Sequence, residues 1–131
     1  MVKNWFGDLS KILGFAALVE AGTAVLLLID PSILILWLLG LDASAMGILL
    51  GRFFGCALLA LGLACWPAQQ ASSPSPAWPA FCAMLLYNTL AALYLAYLGV
   101  FVSSGWLLWP AFTLHILIVL LLVFPWRTEQ H

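Results

Sequence analysis

Apolar residues run along this chain in four long stretches, with the polar positions gathered between them. The first runs from Ile12 to Ile29 and stops at Asp30-Pro31; the second runs from Ala43 to Trp66, the third from Trp78 to Val102 and the fourth from Trp106 to Trp126. Crossing the hydrocarbon core takes about 20 apolar residues in helical form. The pattern therefore predicts four membrane-spanning helices. Between the first two lies SILILWLLGL (Ser32 to Leu41), apolar but too short to cross. Asp30 is a good N-cap and Pro31 suits the first helical position, so this segment reads as a short interfacial helix on the membrane surface. The rival reading is one long helix kinked at Pro31.

The connections are of two kinds. PAQQASSPSPAWP (Pro67 to Pro79) is rich in proline and serine and reads as a non-helical cytoplasmic loop. Ser103 to Gly105 is a tight turn, which makes the third and fourth spans an antiparallel hairpin. Lys3, Lys11 and Arg127 flank the first and last spans, and positive charge collects on the cytoplasmic side. Both termini are expected there. Tryptophan favours the headgroup region, and all seven fall near span ends: Trp5, Trp66, Trp78 and Trp126 inside, Trp37, Trp106 and Trp109 outside. The N-terminal run carries Glu20 and lacks a small-residue cleavage pattern, so it reads as a retained helix and not as a signal peptide.

Composition agrees with a lipid environment. Of the 131 residues 66% are hydrophobic and 7% charged, against about 25% charged in ordinary soluble domains. A single domain of this length leaves much of its surface exposed, so lipid is the expected solvent. Four Lys and Arg and a net charge of −1 offer no basic stripe for nucleic acid. Cys56, Cys65 and Cys82 lie in apolar stretches without a metal-binding spacing. Haem would need a second axial ligand beside His115, and the other histidine is the terminal His131. No nucleophile–base pair, phosphate loop or zinc spacing is present, so no catalytic residue is assigned.

In lipid, helices associate through close backbone approach. The second span carries Gly47, Gly51 and Gly55, a double GxxxG repeat, with Gly62 further along. The repeat predicts a close helix contact, with a helix of the same chain or with a membrane-protein partner or second copy. Glu20 has Ala16, Ala17, Thr23 and Ala24 three and four positions away, a small-residue face that points the carboxylate into a bundle.

Depth along the helices groups the remaining polar side chains. Counted from the inner ends, Glu20, Asn88 and His115 lie roughly 12–17 Å deep and Arg52 at about 21 Å, with Tyr87 beside Asn88. Ionisable groups at such depth are costly unless paired, and are functional candidates by default. One reading makes Glu20 and Arg52 a structural ion pair across roughly 8 Å, with Asn88 and His115 filling leftover hydrogen bonds. The other makes the layer a binding site, with Glu20 and His115 titrating and Arg52 holding an anionic or carbonyl oxygen.

GRFFGCALLALGLA (Gly51 to Ala64), YNTLAALYLAYLG (Tyr87 to Gly99) and WPAFTLHILIVLLL (Trp109 to Leu122) resemble segments of small bacterial DoxX-like membrane proteins. The resemblance implies an all-α four-helix bundle in the bacterial cytoplasmic membrane. It also implies that Arg52, Asn88 and His115, with Glu20 by analogy, belong to a quinone or partner site. The expected function is an accessory or binding protein, not an enzyme, with a mid-membrane site for a lipid-like or quinone-like molecule. The alternatives are a redox subunit coupled to the quinone pool and a small proton-coupled transporter.

Overall fold

The computed structural model describes residues 2–66 and 77–128, with side chains for 9–66 and 78–124. The chain is all-α. Among the described residues five helices follow in order: α1 (Val2–Ile29), α2 (Pro31–Leu39), α3 (Ala45–Cys65), α4 (Ala77–Phe101) and α5 (Leu108–Thr128). Three of them contain stretches long and apolar enough to cross a membrane, Leu9–Ile29, Ala45–Cys65 and Trp78–Phe101, and Leu108–Phe124 in α5 is a shorter apolar run. Large apolar side chains such as Phe53, Leu63 and Phe101 are left outside, between two thirds and three quarters exposed. Such a surface is stable against lipid tails and not against water. Most of the proline- and serine-rich connection, with Glu129 and His131, falls outside the described residues. So do the side chains of Lys3, Trp5, Asp8, Trp126 and Arg127.

Local chemistry sets the helix ends. Asp30 adopts an extended conformation (φ −149°, ψ 93°), and its carboxylate accepts a hydrogen bond from the Ser32 N–H at 3.0 Å and another from the Ser32 hydroxyl. With Pro31 unable to continue the ladder of α1, one residue separates α1 from α2. Gly40 ends α2 in the left-handed region (φ 68°), where a side chain is strained, and its N–H returns to the Leu36 carbonyl at 2.8 Å. Ser44 caps α3 by accepting from the Gly47 N–H at 3.0 Å.

The glycines show how α3 is seated. A methyl group at Gly62 would meet Ala17 and Ala21, one at Gly55 would meet Ala24, Leu27 and Leu28, one at Gly51 would meet Pro31, and one at Gly47 would meet Ile35. As α3 is read backwards in steps of seven, four and four, its neighbours climb α1 and then α2. Two corrections follow. The glycine-rich face is filled by α1 and α2 of the same chain, so it is not open to another protein. And α2, expected to lie flat on the membrane surface, instead runs beside α3 in the register that α1 began. The kinked-helix alternative is nearer to what is observed: a single turn of extended backbone at Asp30 breaks the helix without redirecting it away from α3.

At its far end α2 is fastened to the turn between α4 and α5. The Gly105 N–H donates to the Leu38 carbonyl at 2.7 Å and the Leu107 N–H to Trp37 at 2.9 Å, while the Ser103 hydroxyl donates to Leu39. A Cβ on Gly105 would stand 2.2 Å from the Trp37 carbonyl oxygen, so only glycine permits this approach. The Trp37 and Trp106 rings lie 5.7 Å apart over the junction. Otherwise α1 packs chiefly on α3 and α4 on α5, with α1 also touching both α4 and α5.

Candidate functional site

Two apolar clusters fill the interior, with polar side chains between them. The first joins Leu9, Leu13, Ala16 and Ala17 of α1 to Cys65, Phe81, Met84, Ile118 and Leu122. The second, nearer the α2 end, joins Ala24 and Leu27 to Leu58, with Tyr87 packed against it. Glu20 falls between Ala17 of one cluster and Ala24 of the other, and it is 1% exposed. Its small neighbours Ala16, Ala17 and Ala24 are fully buried, so they let other helices approach and close the carboxyl off from lipid.

Asn88 on α4 is also fully buried, and its hydrogen bonds define its orientation. Its amide Nδ2 donates to the Met84 carbonyl at 2.9 Å. The side-chain oxygen Oδ1 is therefore the atom facing His115 Nδ1, at 2.7 Å. An amide oxygen only accepts, so the proton of that bond sits on His115 Nδ1. In the neutral ring this makes Nε2 the bare acceptor. A mid-helix asparagine bonded to the carbonyl four residues back satisfies itself locally; here the same bond aims the second half of the amide across to α5.

Tyr87 and Glu20 complete the layer. The Tyr87 ring meets the His115 ring edge-on at 5.8 Å between centroids. Its hydroxyl lies close enough to the Glu20 carboxyl for the two to interact. Glu20 Oε1 is buried with no hydrogen-bond partner. Buried polar atoms are almost always satisfied, and leaving one bare costs about 1–3 kcal/mol, more if it carries charge.

Arg52 stands apart from this group. Gly62 of α3 lies opposite Ala17 and Ala21, the turn that carries Glu20. Arg52 is ten residues further along α3, or roughly 15 Å along the axis. That is beyond the reach of the two side chains together, so the expected ion pair is not formed. The depth count from helix ends fails because α1 and α3 are staggered: the helix end of α3 at Cys65 is level with the middle of α1. Arg52 is exposed, next to Gly51 and hence to Pro31, and its charge acts on Asp30. The hydrogen bonds from Ser32, with a smaller contribution from Arg52, hold the Asp30 carboxyl below the usual carboxylate range.

Of the residues expected in the polar layer, the fold thus gathers Glu20, Tyr87, Asn88 and His115 and separates Arg52. The junction of Trp37, Leu38 and Leu39 with Ser103 and Gly105 at the far end of α2 was not foreseen. Its signal was short: a glycine in each of two polar turns, Gly40 and Gly105. Thr23, on the small-residue face, donates its hydroxyl to the Val19 carbonyl at 3.0 Å and is satisfied within α1. Cys56 and Cys82 are exposed and Cys65 is buried with its thiol against the Ala80 carbonyl at 3.5 Å; all three are free thiols. Among the described residues no group of three or more His, Cys, Asp or Glu is placed to hold a metal ion. Comparison with family models, with curated proteins and with solved structures gave no match.

Proposed function

We propose that this chain is a binding or accessory protein of a bacterial cytoplasmic membrane, of the DoxX-like kind, whose four crossing helices leave both termini in the cytoplasm. Glu20, Tyr87, Asn88 and His115 hold the polar end of a lipid-like or quinone-like molecule whose apolar remainder stays in the bilayer. The observation that carries this reading is the Glu20 carboxyl: nearly fully buried, with one oxygen unpartnered. A polar group left bare in an apolar interior is a standing cost, and a ligand that satisfies it returns that cost as affinity.

Two features support the reading. Asn88 fixes His115 in one orientation and one tautomer, which is the preorganisation a binding site needs. The apolar clusters on either side of the layer favour entry from the lipid over a water-filled path along the axis, and so favour binding over transport. Half-buried Tyr87 and His115 are the members nearest the outside, and a head group arriving from the bilayer meets them first.

The test is native mass spectrometry of the protein taken from its own membrane in mild detergent. A bound small molecule or lipid retained by the wild type and lost from Glu20→Gln supports the proposal. A bare protein in both, or an adduct that Glu20→Gln keeps unchanged, contradicts it.

A further inference from the structure

A second polar feature lies away from the Glu20 layer, where α1 gives way to α2. A Cβ at Gly51 would touch Pro31, so the residues next to these two, Arg52 and Asp30, stand at one level. Asp30 accepts both of its hydrogen bonds, from the Ser32 N–H and from the Ser32 hydroxyl, on Oδ1. Its Oδ2 is not buried and, among the described residues, has no partner. Arg52 is the one charged residue of α3. It is exposed and, among the described residues, has no ion-pair or hydrogen-bond partner, although its charge is felt at Asp30. Charged side chains in a span ordinarily face the bundle interior; this one faces out. On the same two helices Val25 and Ile29 of α1 and Leu49 and Phe53 of α3 are turned outward, between 48% and 76% exposed.

We infer that Arg52 and Asp30 together bind a zwitterionic phospholipid with a primary ammonium head, of the phosphatidylethanolamine class, its phosphate on the guanidinium and its ammonium on Asp30 Oδ2. The inference is independent of the Glu20 layer. A guanidinium presents a planar fork of N–H donors that matches phosphate oxygens. A primary ammonium brings N–H donors and positive charge to an open carboxylate oxygen. Two protein charges of opposite sign, near one another yet unjoined, thus match the two charges that such a head group carries a few bonds apart. An anionic head group satisfies Arg52 and is repelled by Asp30. A choline head group carries the positive charge but has no N–H to give Oδ2. The outward-facing Val25, Ile29, Leu49 and Phe53 lie beside the acyl chains, which favours a lipid over a soluble phosphate ester.

The inference is tested with three phospholipids of equal tail and different head: dioleoyl phosphatidylethanolamine, phosphatidylcholine and phosphatidylglycerol. Each is titrated into the delipidated wild-type chain in mild detergent, and the retained lipid is read by native mass spectrometry. Phosphatidylethanolamine is expected to be held at least about fivefold more tightly than either of the others. Asp30→Asn, which still caps α2, is expected to bring phosphatidylethanolamine down to the level of phosphatidylcholine. Arg52→Gln is expected to weaken phosphatidylethanolamine at least about fivefold. Because the head-group series is read on the wild-type chain, it stands whether or not the variants fold. Equal retention of the three lipids overturns the inference, since Asp30 and Arg52 would then be closed on each other or on water. A preference for phosphatidylglycerol overturns it as well, with Arg52 acting alone as an anion site. Phosphatidylethanolamine binding left unchanged by either substitution also overturns it and places the lipid elsewhere on the chain.

Discussion

Asn88 shows how one side chain can order a whole layer. Its amide is anchored to its own helix at Met84, and that anchor dictates which atom it shows to His115. Replacing it by leucine fills the space but orphans the His115 N–H in a dry interior. Asn88→Leu is expected to lower stability by about 1–3 kcal/mol, read as a lower Tm in detergent, and to loosen His115, read as a change in its imidazole NMR shifts. An unchanged Tm and unchanged shifts would mean that the hydrogen bond is not formed. Asp30 is a residue of another type, a cap outside the spans. Its carboxyl is held below the usual range by Ser32, so its contribution is fully present above the ordinary carboxylate value of about 4. It is lost as pH falls through the lowered folded value. Asp30→Asn, which caps without titrating, is expected to remove this part of the loss of Tm in acid.

At the scale of elements, the pair of helices α1 and α2, broken at Asp30, governs the architecture. Gly62, Gly55, Gly51 and Gly47 accept it along the length of α3, and the α4–α5 turn receives its end through Gly105. Gly105→Ala forces a methyl group onto the Trp37 carbonyl, a backbone group with little room to yield. A loss of about 1–3 kcal/mol is expected. Gly51→Ala meets Pro31 Cβ at 2.6 Å and is expected to be destabilising as well. Gly22→Ala, with nothing within 4 Å of the new methyl, is the neutral control. Thermal denaturation of the three variants checks this order, and a Gly105→Ala protein as stable as Gly22→Ala would refute the junction. The helices themselves were legible from sequence because apolar run length and the residues Asp30 and Pro31 act locally. The disposition of α2 was not, because lying on a surface and packing on α3 demand the same apolar segment. Only the matching sequence of glycines on α3 separates the two, and it becomes readable once the register is known.

For the molecule as a whole, the same stagger decides what the polar residues do. Depth counted from helix ends brings Glu20 near Arg52; the true register of α1 against α3 sets them far apart and leaves Arg52 a small influence on Asp30. Glu20, Asn88 and His115 were legible as one layer because each is polar within an apolar run, whereas the failure of the ion pair depends on a sliding offset that no local signal encodes. What results is a carboxyl set among alanines, faced by a tyrosine, between two dry clusters. If this carboxyl is kept for a ligand and not for the fold, the ligand-free protein is more stable without it. Glu20→Met, close in volume and apolar, made in a Tyr87→Phe background so that no hydroxyl is left facing it, and compared with Tyr87→Phe alone, is the direct measurement. The account predicts that its Tm in ligand-free detergent rises, corresponding to relief of about 1–3 kcal/mol of unsatisfied burial. A fall in Tm of comparable size would show that Glu20 is bonded within the folded chain, and would contradict the claim that the layer waits for a partner from the membrane.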